Sequence, residues 1–161
     1  MIGMGQGIRY DQILDFRNAL LGKPQFSHAG IASQYNGVAG KQSTVEIDDS
    51  LHTRLMMRFG YVDPDFFPTM NIEVIRGRNF SREAGTDITQ AAIINEAAWR
   101  ALGWEEPLGQ RVQNTYHPEY GHFTIIGVVK DYHYYTLHEP IEPAIYLFQP
   151  QMMQTLVVRF E

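Results

Sequence analysis

Apolar and polar positions near the start of the chain alternate with the period of a helix. Between Asp11 and Leu21, apolar side chains such as Ile13 and Leu20 recur on one side, while polar residues occupy the other. Asp11 is a predicted N-cap, and Gly22 supplies the stop. A single apolar stripe predicts that this helix packs against a sheet.

Most of the remaining apolar residues lie in short runs that are typical of strands. The strongest run is Phe123–Lys130, and Gly127 in its middle predicts a bulge or a close approach of another backbone segment. The predicted strands are Ser27–Gln34, Arg54–Val62, Asn71–Ile75, Ala91–Ile94, Arg111–Asn114, Phe123–Lys130, Ile145–Phe148 and Leu156–Phe160.

Two further helices are predicted between these strands. One is a short helix over Asp63–Met70, with Asp63 as its cap and Pro64 in the first helical position. The other is Asn95–Leu102, with Asn95 as its cap. The segment Arg82–Gln90 is predicted to be a polar loop. This order of elements predicts an α+β fold, because strands and helices do not alternate regularly.

The composition is that of a folded domain and argues against several classes of partner. Of 161 residues, 44% are hydrophobic and none is cysteine, so a core is expected without a disulfide or a thiolate metal site. The net charge is −5, and residues 81–161 carry 10 acidic and 5 basic side chains. This balance argues against a nucleic-acid binder, and against docking on anionic lipid through a polybasic patch.

No apolar run approaches the roughly 20 residues that span a bilayer. If the chain is a piece of a membrane protein, its spanning helices are expected outside these residues.

Four histidines in the second half raise the hypothesis of a metal-dependent hydrolase. His117, His122, His133 and His138 lie close in sequence, and the first three would be its ligands. Their spacing does not give the tight pair on one element that is typical of zinc sites. No G-x-S-x-G or P-loop motif is present either. We therefore expect no metal, no cofactor and no enzymatic activity.

A tyrosine-rich segment offers candidate partner-binding residues. These are Tyr132, His133, Tyr134 and Tyr135. Tyrosine is common at interfaces, because it buries a large area and keeps a polar tip, but it also covers the rims of sheets. Two alternatives therefore stay open: a tyrosine rim over the core, and a surface that binds a ligand or peptide in a free-standing binding or sensor module.

Several motifs occur in one order and together resemble a known family. Each is weak alone, but the ordered set resembles the periplasmic core domain of MacB/FtsX-like ABC transporter permeases. The resembling blocks are Val62–Met70, Arg76–Phe80, Ala92–Ala98, Leu102–Gly103, Pro107–Gln110, Ile125–His133 and Ile141–Pro143.

The resemblance implies a two-lobed extracytoplasmic domain of a bacterial inner-membrane protein. A porter-like α/β lobe would comprise residues 8–78 and 152–161, with a β-rich sabre-like lobe inserted at residues 79–151. The two ends of the chain are then expected to lie close together, since both would lead into neighbouring membrane helices.

The resemblance also implies partners and a role. The full permease would pair with a cytoplasmic ABC ATPase, with a second permease subunit in a homodimer or heterodimer, and with a membrane-fusion or other periplasmic protein. The domain would relay ATP-driven movement of the membrane helices. Efflux, lipoprotein extraction and cell-wall regulation all remain open as subtypes.

Overall fold

The computed structural model describes residues 2–3, 9–34, 42–115, 119, 121–133 and 140–160. The helices are α1 (Tyr10–Leu21), α2 (Phe66–Met70), α3 (Asp87–Gln90) and α4 (Glu96–Leu102). The strands are β1 (Ile2–Gly3), β2 (Phe26–Ala32), β3 (Gln42–Ile47), β4 (Arg54–Tyr61), β5 (Val74–Gly77), β6 (Ala91–Asn95), β7 (Arg111–Asn114), β8 (His122–Val129), β9 (Ala144–Leu147) and β10 (Thr155–Phe160). This mixture of helices and strands confirms the predicted α+β class.

The larger sheet closes on itself. Its strand order is β5-β8-β6-β9-β4-β3-β7, and β7 also pairs with β8. One edge of β8 serves two partners, because β7 pairs with its first half and β5 with its second half. Six strands therefore form a closed ring, and β5 extends it on the outside. Pairs β4–β9 and β6–β8 are parallel, and the other pairs are antiparallel.

A second, three-stranded sheet holds both ends of the chain. Its order is β1-β10-β2, and all its pairs are antiparallel. Ile2 in β1 is paired with Leu156 in β10. This pairing confirms the prediction that the two ends of the chain lie close together.

Two hydrophobic cores share the central strands β6 and β9. The first core lies under α1, α2 and the three-stranded sheet, and the second fills the closed ring. Along β6, Ile93 belongs to the first core and Ile94 to the second. Along β9, Tyr146 belongs to the first and Ile145 to the second. Side chains alternate across a strand, so β6 and β9 are buried on both faces.

Several predicted boundaries are wrong for identifiable reasons. Helix α1 begins at Tyr10, where the backbone N–H of Arg9 donates to Gln12 Oε1 at 3.0 Å, so Asp11 is not the N-cap. The predicted cap Asp63 is also wrong, because α2 begins only at Phe66 and the Asp63 side chain turns into the interior.

Other elements escaped the sequence prediction or are displaced from it. Strand β3 was not predicted, since only two of its side chains are fully buried. Helix α3 lies within the segment predicted as a polar loop. Asn71 ends α2 with φ of 57°, so the strand expected at Asn71 begins at Val74 instead.

Two local predictions are confirmed. Gly127 lies at a register shift between β6 and β8, and a Cβ there would come within 2.4 Å of the Arg78 carbonyl oxygen. Asn95 caps α4, since its Oδ1 accepts a hydrogen bond from the backbone N–H of Ala98 at 2.9 Å.

The strand pairs β4–β9 and β5–β8 join segments on the two sides of the lobe boundary predicted after residue 78. The division into a porter-like and a sabre-like lobe stays a prediction.

Candidate functional site

A group of four charged side chains, here called the ion cluster, joins the helices to the sheets; Asp63 is fully buried, and the other three are partly exposed. It consists of Arg17, Asp63, Asp65 and Arg82. Arg82 Nη2 lies 2.5 Å from Asp63 Oδ2 and 2.7 Å from Asp65 Oδ2. Arg17 Nη2 lies 2.7 Å from Asp65 Oδ2. When both aspartates are ionised, two positive and two negative charges balance within one cluster.

The backbone fixes the position of each member of the ion cluster. Asp63 is fully buried, and its Oδ1 accepts hydrogen bonds from the backbone N–H of Ile31 at 2.9 Å and of Asp65 at 3.2 Å. Arg17 Nε donates to the carbonyl oxygen of Ala29 at 2.6 Å. The cluster thereby ties α1 to β2 and to the segments that follow β4 and β5.

Burial dominates the electrostatics of Asp63. Loss of solvent raises the pKa of Asp63 to about 7, although the Ile31 N–H and the charge of Arg82 act in the opposite direction. Burial and the neighbouring charge of Asp63 raise the pKa of Tyr10 to about 12. The Tyr10 hydroxyl accepts a 3.3 Å hydrogen bond from Arg82 Nε, so it belongs to the same network.

Sequence reasoning missed both arginines of the ion cluster. For Arg17 a signal exists: it lies on the same helical face as Ile13 and Leu20, which are both buried. A charge within an apolar stripe indicates a buried ionic partner. Nothing local marks Arg82, because its partners are 19 and 17 residues away in sequence.

A second network fastens the N-terminal end of α4. Asp131 Oδ1 accepts from the backbone N–H of Ala97 at 2.9 Å, and Asp131 Oδ2 pairs with Arg100 at 2.6 Å. In return, the Asp131 N–H donates to Glu96 Oε2 at 2.9 Å. Asp131 therefore bonds to α4, and the structure shows no local hydrogen bond between it and nearby His133.

The predicted partner-binding segment borders an open groove. Tyr132 is half-buried and stacks on Tyr146, with ring centroids 6.5 Å apart, whereas His133 is exposed. Tyr134 and Tyr135 lie outside the described residues. The groove has a volume of about 720 Å³, and its described lining comprises Pro68, Met70, Asn71, Ile72, Glu73, Lys130, Asp131, Tyr132 and His133. Tyr132 thus covers the core and also forms part of a surface.

The histidines do not assemble a metal site in the described part of the chain. There, no group of three or more His, Asp or Glu side chains is arranged to hold a metal ion. His122 lies on β8 and His133 borders the groove, while His117 and His138 lie outside the described residues. The expectation of no metal stays a prediction.

Among the described residues, no helix has the length and apolarity needed to cross a membrane.

The deciding comparison is with protein families. Residues 4–160 match the family model described as the MacB-like periplasmic core domain. The chain belongs to this family. The predicted resemblance is therefore confirmed, and the protein is an extracytoplasmic domain of the MacB-like kind, a transporter permease family and not an enzyme class. A search of curated proteins gave no match.

Solved structures of three other proteins share the fold. The periplasmic region of MacB from Actinobacillus actinomycetemcomitans aligns with a TM-score of 0.66 and 14% identity over 98% of this chain. A domain described as that of a permease protein from Porphyromonas gingivalis aligns with a TM-score of 0.63 and 15% identity over 100% of this chain. The extracellular domain of the ABC-type transporter YknZ from Gram-positive bacteria aligns with a TM-score of 0.62 and 17% identity over 91% of this chain.

The chain spans 66%, 70% and 72% of these three structures, respectively. At sequence identities of 14%, 15% and 17%, the similarity to these structures shows a shared fold and nothing more.

Proposed function

We propose that this domain relays movement between the membrane-spanning part of an ABC transporter permease and the space outside the membrane. In this role it moves as one body and makes contacts, without carrying out chemistry.

The observation that carries the proposal is the sharing of β6 and β9 by both cores. A displacement of the first core, under α1 and the three-stranded sheet, moves β6 and β9 directly. The same two strands form part of the closed ring, so the ring must follow. Close-packed interiors transmit strain because they contain few voids. The described part of the domain therefore suits transmission of force better than internal flexing.

The position of the chain ends supports the same role. Strands β1 and β10 pair in one sheet, so a pull on either end enters the domain at the same place. The ion cluster then connects α1, which follows β1, to the segments after β4 and β5. Force applied at the ends would reach the rest of the domain through hydrogen bonds, ion pairs and packed side chains.

The partners in this proposal are those of a complete transporter. A cytoplasmic ABC ATPase would drive the permease, and a second permease subunit would complete a homodimer or heterodimer. A membrane-fusion protein or another periplasmic protein would contact the outer surface, with Tyr132, His133, Tyr134 and Tyr135 as the candidate contact residues.

Spin labels on the full-length permease can test the relay. The described domain needs no background cysteine replacement, since the chain has none. Asp15→Cys on α1 and Leu51→Cys in the β3–β4 turn provide exposed sites. Pulsed EPR on the reconstituted permease and ATPase would compare the nucleotide-free state with the state trapped by ATP and vanadate.

We expect the Asp15–Leu51 distance within one domain to stay constant, while the distance between Leu51 labels of the two subunits changes. An ATPase variant that binds but does not hydrolyse ATP separates binding from turnover. An unchanged distance between subunits in every nucleotide state would contradict the relay. A change of the distance within the domain would contradict movement as one body.

The groove beside Tyr132 favours a second candidate function, the binding of a ligand or peptide. Its volume of about 720 Å³ lies within the range of small-molecule sites. A thermal-shift screen of short peptides would test it, because a ligand that binds the folded state raises Tm. Binding that persists in a Tyr132→Ala, His133→Ala variant would place the ligand elsewhere.

A further inference from the structure

A separate pocket lies on the outer face of the closed ring, where β7 pairs with β8. Its volume is about 500 Å³, and its described lining comprises Thr89, Gln90, Arg111, Gly121, His122 and Thr124. We call it the β7–β8 pocket. It shares no described residue with the groove beside Tyr132 or with the ion cluster.

Strand register brings the polar side chains of this pocket together. Arg111 and Thr124 are directly opposite each other in the β7–β8 pair, and His122 lies two residues from Thr124. Opposite side chains in an antiparallel pair lie about 5 Å apart at Cβ, and residues two apart share a face. The intervening Phe123 points into the second core. Arg111, His122 and Thr124 therefore project together from the outer face.

The described lining of the β7–β8 pocket is rich in hydrogen-bond donors. Arg111, His122, Gln90 and the two threonines can all donate hydrogen bonds, and none of the lining residues is acidic. This is notable in a chain with a net charge of −5. A guanidinium beside hydroxyl and amide donors suits the oxygen atoms of a small anion such as phosphate.

Asp48 modulates the positive charge of this pocket. Its Oδ2 lies 3.1 Å from Arg111 Nη1, and its backbone N–H donates to the carbonyl oxygen of Arg111 at 2.9 Å. Both side chains of the ion pair are partly exposed, at 56% for Arg111 and 42% for Asp48. The carboxylate orients Arg111 and competes with any anion for its guanidinium.

We propose that the β7–β8 pocket binds a phosphate-like oxyanion, either free or as the headgroup of an anionic lipid, with Arg111 as its main ligand. The proposed anion site does not depend on the proposed relay of movement. An experiment that contradicts one of these two proposals therefore does not contradict the other.

To test this proposal, the 161-residue domain is titrated with inorganic phosphate. Binding is monitored through the NMR chemical shifts of the backbone amides in β7 and β8. We expect saturable shifts at these amides in the wild type. Arg111→Gln should weaken binding about tenfold or more, because it removes a charge-assisted interaction. Asp48→Asn should strengthen binding several-fold, because it removes the competing carboxylate. Arg54→Gln is the matched control, since Arg54 is exposed and pairs with Glu46 on β3, and it should bind like the wild type.

Vesicles distinguish the two sources of the anion. Co-sedimentation with vesicles of phosphatidylglycerol and phosphatidylcholine, but not of phosphatidylcholine alone, would indicate a lipid headgroup if Arg111→Gln abolishes it. Binding of free phosphate without co-sedimentation would indicate a soluble ligand. Absence of both forms of binding, or equal binding by wild type, Arg111→Gln and Asp48→Asn, would overturn the proposal.

Discussion

At the scale of single residues, backbone approach and buried charge decide which positions tolerate change. Gly127 and Gly30 lie where another backbone segment passes too closely for a Cβ, and Asp63 is enclosed on every side. None of these constraints can be recognised from residue type alone. Gly127 was predicted because it interrupts a strongly apolar strand, whereas Asp63 was assigned to a helix cap that it does not form.

Gly127→Ala should destabilise the domain by about 1–3 kcal/mol, since overpacking of a tight contact has costs of this order. The added methyl would meet the Arg78 carbonyl oxygen at 2.4 Å, and the backbone would have to move. Gly85→Ala is the control, because no atom lies within 4 Å of the added Cβ and Gly85 has no positive φ. Urea unfolding monitored by circular dichroism measures the unfolding midpoints of both variants. Equal midpoints would refute the close approach of the Arg78 carbonyl to Gly127.

At the scale of elements, polar side chains fix the helices onto the sheets. Asn95 Oδ1 accepts from Ala98 within α4 and from the backbone N–H of Ala144 at the start of β9, each at 2.9 Å. Its Nδ2 donates to the carbonyl oxygen of Glu142 at 2.9 Å. One side chain thus links a helix end to a strand that both cores share.

Asn95→Ala should lower the free energy of unfolding by about 2–3 kcal/mol, because it removes a helix cap and leaves the buried Ala144 N–H without its partner. Thr86→Ala is the matched control. Thr86 is the N-cap of α3 but makes no side-chain capping bond, so its loss should change stability by less than about 0.5 kcal/mol. If the two variants unfold alike in chemical denaturation, the linking role of Asn95 is wrong.

Arg17→Met should loosen α1, since it removes one of the two arginines that pair with Asp65 and the side-chain donor to the Ala29 carbonyl while keeping the side-chain length. We expect faster hydrogen exchange in α1 peptides and a stability loss of about 2 kcal/mol, below the full cost of breaking a buried pair because Asp65 is partly exposed. Arg9→Met removes an exposed pair with Asp11 before the same helix and should have little effect. Equal exchange rates in α1 for both variants would contradict the role of the ion cluster.

The sequence predicted the elements whose apolar pattern is dense, such as β6 and β8, and it missed those whose burial depends on distant partners. Strand β3 has only Val45 and Ile47 fully buried, and its place follows from pairing with β4 and β7. Closure of the ring was not predictable from local pattern, since β4 pairs with β9 more than 80 positions later. For the candidate site, Tyr132 and His133 were recognised by their type, but the ion cluster forms only when α1 meets the segments that follow β4 and β5.

At the scale of the whole molecule, charge burial gives the domain a dependence on pH. The pKa of Asp63 is raised to about 7 in the folded state, whereas an unfolded aspartate titrates near pH 3.9. Between these values the folded state holds the Asp63 proton more tightly. The resulting stability is fully present below about pH 4 and is lost as the pH rises through about 7.

The free energy of unfolding should therefore fall between pH 5.5 and pH 8, and Asp63→Asn should flatten that part of the profile, because the amide has no proton to lose. Arg78 holds the pKa of Asp87 below its ordinary value, so Asp87 stays ionised throughout this window and adds no slope. Glu46→Gln serves as the control and should keep the wild-type slope, since hydrogen bonds from Arg54 and His52 lower the pKa of Glu46. Urea unfolding at half-unit steps of pH measures all three proteins. Parallel profiles for the wild type and Asp63→Asn would mean that Asp63 is ionised across the window and that Arg82 fully offsets its burial.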